Sequence, residues 1–145
     1  MVHRNQIAKQ AMKSYRKVFN GTVSMGMVTG KQQDYDADFV FGTIQTISKE
    51  ETLKHYERDH WDLIIIDEAH HSSAASYKRI MDYFIPRLWL GMTATPDKRD
   101  DNLEGRNIYE IFNHQIAYEI RLQNAMEEDL LCPFHYFGIT DLEII

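Results

Sequence analysis

Apolar positions along the chain alternate between helical and extended spacing, which predicts an α/β domain with a mostly parallel sheet. Over residues 4–19, Ile7, Ala11, Tyr15 and Val18 fall on one stripe, with Ala8, Met12 and Phe19 beside it, so a helix is expected there. Asn20-Gly21 supplies a left-handed stop. Residues 23–28 predict a short strand, residues 30–38 a polar loop, and Phe39-Val40-Phe41 an apolar run that ends at Gly42-Thr43. Ser48 with Glu51 has the spacing of a capping box and predicts a second helix start. Residues 61–67 predict the central strand. Residues 74–84 predict a helix with Tyr77, Ile80, Met81 and Phe84 on one face, halted ahead of Pro86. Residues 88–93 predict another buried strand and residues 97–105 a charged loop. Strands are expected at 116–120 and 134–139, on either side of a short helix at 121–129.

Composition narrows the picture. A chain of 145 residues with 43% hydrophobic content suits one globular domain. No apolar stretch approaches the roughly 20 residues of a membrane span, and the start is polar at once, unlike a signal peptide. The single cysteine, Cys132, excludes an internal disulfide framework and fits a reducing cytoplasm. A net charge of −6 argues against nucleic-acid binding driven by bulk charge, but leaves room for a local groove of backbone amides and hydroxyls.

The candidate chemistry lies at the strand ends. Leu63-Ile64-Ile65-Ile66 runs into Asp67-Glu68-Ala69-His70, the pattern by which a buried parallel strand delivers two acids to the carboxyl edge of a sheet. Asp67 can hold magnesium through water, and Glu68 can polarise a water that attacks a phosphate. That is the chemistry of nucleoside triphosphate hydrolysis. The competing reading is an acidic strand end that caps the following helix. Thr93-Ala94-Thr95-Pro96 ends the next apolar strand, where its hydroxyls can bond the segment that carries the acids; a plain turn is the alternative. Thr43-Ile44-Gln45-Thr46 also follows a strand and reads either as a phosphate contact or as a capped loop. Arg4 reads either as a ligand of a backbone phosphate or as one charge on a solvated helix face. The sequence contains no G-x-x-x-x-G-K-[ST] loop: Gly30-Lys31 has Gly26 one residue too close and Gln32 where a hydroxyl is needed.

Together these residues resemble the first RecA-like motor domain, of P-loop NTPase type, in superfamily-two DEAD/DEAH-box helicases, in a branch similar to the motor subunit of type III restriction enzymes. Asp67-Glu68-Ala69-His70 matches motif II and Thr93-Ala94-Thr95 motif III, while Val2-His3-Arg4 with Gln6 to Gln10 resembles motif Ia and Thr43 to Thr46 motif Ib. The resemblance implies a three-layer α/β fold. It implies magnesium at Asp67, a general base at Glu68, and coupling of the ATP site to a second motor domain through His70. It also implies coupling of hydrolysis to movement through Thr93, Ala94 and Thr95, and a nucleic-acid track along Arg4, Thr43 and Gln45. ATP and Mg2+ are the implied cofactors, and duplex DNA the implied partner.

The pattern departs from that family in lacking the phosphate-loop unit, about 30 residues or more, and the second motor domain. Residues 1–133 are therefore expected to be part of motor domain 1, and 134–145 an exit segment. The abrupt helix start and the apolar end suggest a piece of a longer polypeptide. Such a piece is expected to be unable to hydrolyse ATP alone, and the strand at 88–93 is expected to expose an edge through which two copies could pair. The competing function is a non-catalytic module that binds nucleic acid or protein.

Overall fold

The computed structural model describes residues 1–69, 75–94 and 108–130. The chain divides into two compact units, residues 1–114 and 115–145.

The first unit begins with helix α1 (Asn5–Phe19), entered from extended Arg4. Ala8 is fully buried, and the rings of Tyr15 and Phe19 carry the packing further along the same face. Their centroids lie 6.0 Å (Tyr15) and 5.0 Å (Phe19) from Phe39, and Tyr15 lies 5.4 Å from Phe41. The helix stops where Asn20 turns left-handed at φ 43° and donates its N–H to the Arg16 carbonyl, as expected from Asn20-Gly21.

Strands β1 (Met25–Val28) and β2 (Phe39–Gly42) pair in parallel, Met25 opposite Phe39. The loop between them contains no crossover helix and instead folds back on β1. The Asp34 N–H donates to the Met27 carbonyl at 2.9 Å, and a Cβ on Gly26 would lie 2.6 Å from the Asp34 oxygen. Ser24 and Asp38 tie the base of this loop: Ser24 donates from N–H and Oγ to Asp38 Oδ2 at 2.8 and 2.7 Å. These bonds hold the Asp38 carboxyl below its usual range.

Two short helices follow, α2 (Ile44–Ile47) and α3 (Glu50–Leu53). The expected capping box at Ser48 does not form. Lys49 is the cap residue of α3 without a side-chain bond, and Ser48 closes α2. Helical geometry starts earlier than expected because Ile44 and Ile47 reach the core directly after β2.

Strand β3 (Leu63–Asp67) pairs in parallel with β4 (Leu88–Met92), Asp67 opposite Met92. Trp61 stays outside the strand, its ring 5.0 Å from Tyr56. Between the strands, helix α4 (Ala75–Tyr83) lays Tyr77 and Ile80 against Ile64 and Ile66 of β3, with Phe84 just beyond its end in the same core. Its carboxyl end is closed by Arg58, which donates from Nε to the Tyr83 carbonyl at 2.8 Å and from Nη2 to the Asp82 carbonyl at 2.9 Å. Only one face of β3 is fully covered: Leu63 is 43% and Leu88 57% exposed, where the apolar run predicted burial on both sides.

Met1 and Val2 run between the two strand pairs. The Val2 N–H donates to the Gly42 carbonyl and the Ile44 N–H to the Val2 carbonyl, each at 3.0 Å. On the other side the Met1 amine donates to the Ile65 carbonyl at 2.5 Å and the Asp67 N–H to the Met1 carbonyl at 3.0 Å. All these partners run in parallel, so the carboxyl ends of the strands share one edge. The last helix of this unit is α5 (Ile108–Ile111).

In the second unit, helix α6 (Leu122–Glu127) lies inside the expected span 121–129. The strand expected at 116–120 is not formed. Among the described residues it has no strand partner, and an apolar alternation without a ladder stays irregular. The strand expected at 134–139 lies outside the described residues.

Candidate functional site at the carboxyl edge of the strands

Asp67 is the last residue of β3, and its N–H is held by the Met1 carbonyl. Its Oδ1 accepts the N–H of Glu68 at 3.0 Å, which fixes one carboxylate oxygen on the turn. Glu68 then adopts φ 54°, a left-handed backbone that costs energy for a side chain other than glycine. This twist takes the chain off the strand and brings fully buried Ala69 back under the sheet. Both carboxylates are half-buried, at the mouth of the edge.

The register of β3 on β4 fixes what stands beside the acids. Asp67 lies opposite Met92, the last pair of the register, and half-buried Thr93 and exposed Ala94 are the next residues after β4, as Glu68 is after β3. Close packing under this edge depends on Gly91, where a Cβ would lie 2.7 Å from the Phe112 ring and 3.0 Å from the Ala69 side chain. His70 and Thr95, the remaining residues expected here, lie outside the described residues.

The expected nucleic-acid contacts occupy the same edge. Arg4 is exposed at the entry of α1, and Val2 bridges to Thr43 in parallel, which brings residues 3 and 4 beside residues 44 and 45. Exposed Gln45 is hydrogen-bonded to His3 through Nε2 and Nδ1 at 3.2 Å. Thr43 differs from the other two: it is buried, and its hydroxyl donates to Thr46 Oγ1 at 3.0 Å, so its side chain serves the turn. Gly30-Lys31 sits in a tight turn closed by the Thr29 N–H on the Gln32 carbonyl at 2.8 Å, with no helix after it.

Two groups at this edge carry no signal in the residue pattern. The Met1 amine is buried, and burial lowers its pKa from 8.0 to about 6, against the pull of the Asp67 charge. Tyr77 reads in sequence as a core aromatic. Its ring is core, yet its hydroxyl is buried with no hydrogen-bond partner among the described residues. Burial, then the charges of Asp67 and Glu68, push its phenol up.

The donor set suits magnesium. Two carboxylates at one strand end offer hard oxygen ligands, and magnesium is commonly held by one or two carboxylates, retained waters and substrate phosphates. Among the described residues no three His, Cys, Asp or Glu side chains are grouped to hold a metal ion by themselves. A cleft of about 590 Å³ between α3 and α4 is lined by Glu50, Leu53, Lys54, Arg79, Asp82 and Tyr83, and none of the edge residues takes part in it. No helix among the described residues is long and apolar enough to cross a membrane.

The family described as type III restriction enzyme, res subunit, matches residues 1–98. A Saccharomyces cerevisiae protein named as an ATP-dependent helicase, IRC3, is 29% identical over 96% of this chain and 20% of its own length. A Schizosaccharomyces pombe protein named as a mitochondrial ATP-dependent helicase, irc3, is 30% identical over 88% of this chain and 22% of its own length. The EcoAI endonuclease subunit of an Escherichia coli type I restriction enzyme is 29% identical over 77% of this chain and 14% of its own length. The chain thus spans about a fifth or less of the length of these relatives.

Proposed function

The chain belongs to the family of the type III restriction enzyme res subunit, and from that premise we propose that it is part of an ATP-dependent helicase or translocase motor that moves on duplex DNA. The observation that supports this reading is the shared edge: the parallel register ends with Asp67 opposite Met92, so Glu68 and Thr93 each follow a paired strand end, and His3 is bonded to Gln45 next to the Val2–Thr43 bridge, with Arg4 following.

In this reading Asp67 holds magnesium through water, with one oxygen already committed to the Glu68 N–H. Magnesium, when bound, offsets the negative charge of the phosphates. Glu68, whose left-handed backbone turns the chain at the strand end, takes the proton of the attacking water. Thr93, Ala94 and Thr95 link this chemistry to movement, and His70 signals to a second motor domain. Arg4 binds a backbone phosphate. Gln45, braced by His3, contacts the nucleic acid, while Thr43 shapes the turn that presents it.

Positioning supplies most of phosphoryl-transfer catalysis, and the 145 residues contain no phosphate-cradling motif. The chain alone is therefore expected to be inactive and to need a phosphate loop and a second motor domain. The same observation favours a second reading, a module that binds nucleic acid or protein without catalysis. The outer edge of β4 has no pairing strand among the described residues, and self-association through it belongs to the proposal. One cysteine suits work in a reducing cytoplasm.

Calorimetric titration with magnesium and a non-hydrolysable ATP analogue, with Asp67→Ala as control, tests the reading. No binding of the nucleotide analogue by the isolated chain is expected beyond that of the divalent cation alone. Micromolar binding that is lost in Asp67→Ala would overturn the requirement for a separate phosphate loop.

A further inference from the structure

Tyr77 is 2% exposed, and its hydroxyl oxygen is buried without a hydrogen-bond partner among the described residues. An unpaired buried hydroxyl costs free energy that phenylalanine, of nearly the same shape, would not incur. The apolar part of the side chain is accounted for by the core, but the oxygen is not. Its position in the fold supplies a reason. Tyr77 lies in the first turn of α4, and it shares one buried cluster with Ile66 and Ala69, the residues on either side of the acid pair. It also feels the charge of both carboxylates. The same cluster contains Ile44 and Ile47 of α2, the helix that carries Gln45. Tyr77 thus brings a polar group into the core cluster that flanks Asp67 and Glu68.

We propose that Tyr77 is a positioning residue: its hydroxyl donates a hydrogen bond, through one bound water, to the carboxylate of Asp67 and sets the orientation in which that side chain takes a divalent cation. The inference rests on the reading of Asp67 as the magnesium ligand. A ligand carboxylate with one oxygen on the Glu68 N–H is fixed at one point only. A second donor from below removes the remaining rotation, the role that outer partners play around metal-ligating groups.

The test compares the 145-residue chain with Tyr77→Phe and Asp67→Ala. Mn2+ alone is the probe, its affinity read by electron paramagnetic resonance, and thermal unfolding is followed in parallel. Tyr77→Phe is expected to melt at the same temperature or higher, and to bind Mn2+ about tenfold more weakly. Asp67→Ala is expected to abolish the binding. A 13Cζ label on Tyr77 should shift as magnesium saturates the parent chain, a response that a purely structural ring would not give. Unchanged Mn2+ affinity in Tyr77→Phe, with Asp67→Ala still abolishing it, overturns the positioning role and leaves the magnesium reading intact. A lower melting temperature in Tyr77→Phe also overturns it, because the hydroxyl would then serve the fold. No Mn2+ binding by the parent chain overturns both the magnesium reading and this one.

Discussion

The N–H of Asp67 donates to the carbonyl of Met1 at 3.0 Å, so the acid at the end of β3 is held by the first residue of the chain. Met1 in turn is held by Ile65, and Val2 by Gly42 and Ile44. Two residues therefore carry the backbone hydrogen bonds between the β1–β2 pair and the β3–β4 pair. They also connect the Arg4 and Gln45 side of the edge to the acids. In the proposed motor, coupling nucleotide chemistry to a nucleic-acid track needs a physical link of this kind, and this backbone ladder would supply it.

In the isolated 145-residue chain, the buried Met1 amine makes this ladder sensitive to pH. Its pKa falls from 8.0 to about 6 on folding, chiefly through desolvation. Between those values the unfolded chain binds more protons than the folded one, so stability rises with pH from about 6 to about 8. Below the window both states are protonated and the folded chain bears the full penalty, about 3 kcal/mol for a shift of two units. Above it both are neutral and the dependence ends. Urea unfolding of the 145-residue chain at pH 5.5, 7 and 8.5 should show this rise. An acetylated amino terminus, which has no proton to lose, should flatten it.

Glu68 carries a left-handed backbone at φ 54°. Glycine at this position removes a cost of about 1–2 kcal/mol, partly offset by its greater freedom in the unfolded chain. Glu68→Gly should therefore raise stability by about 0.5–1 kcal/mol in chemical unfolding. In a complete motor the same change should abolish ATP turnover, because the carboxylate proposed to activate water is gone. A destabilised Glu68→Gly chain would show that the turn is held by the side chain and not strained by it.

Much of this arrangement is legible in the residue pattern, and the exceptions share a cause. The stop at Asn20-Gly21, the α4 face with Tyr77 and Ile80, and the delivery of Asp67 to a strand end all follow from local signals: a left-handed pair, a helical stripe, an apolar run into acids. Ser48 failed as a cap because burial of Ile44 and Ile47 started helical geometry earlier than the local signal did. Residues 116–120 alternate as a strand should, but a strand exists only with a partner, and pairing is not a local property. The buried Met1 amine, the His3–Gln45 bond and the unpaired Tyr77 hydroxyl depend on contacts between distant segments, which periodicity does not encode.

Gly26 and Gly91 make close approaches of different kinds, and alanine should separate them. At Gly26 an added Cβ would lie 2.6 Å from the backbone oxygen of Asp34 and 2.9 Å from its Cβ. The loop is bonded to β1 and cannot withdraw without losing that pairing, so Gly26→Ala should cost about 2–3 kcal/mol. At Gly91 the nearest atom is Cζ of the Phe112 ring at 2.7 Å, and a ring edge can tilt aside. Gly91→Ala should therefore cost less, about 1 kcal/mol. Denaturant midpoints of the two variants decide the order. Equal losses would mean that Phe112 is as fixed as the backbone beside Gly26.

Arg4 and Gln45 should differ in how salt affects their contribution to DNA binding. Arg4 is exposed and cationic at the entry of α1, and a phosphate contact there releases a counterion. Arg4→Ala should weaken duplex binding and reduce the slope of log K against log salt by about 1. Gln45 is neutral and braced by His3, so Gln45→Ala should weaken binding with the slope unchanged. His3→Ala should reproduce the Gln45 effect in part, because it removes the brace and leaves the amide. Fluorescence anisotropy with a labelled duplex, measured from about 20 to 150 mM salt, separates the three variants. An unchanged slope in Arg4→Ala would take Arg4 off the track and leave it as a charge on a solvated helix.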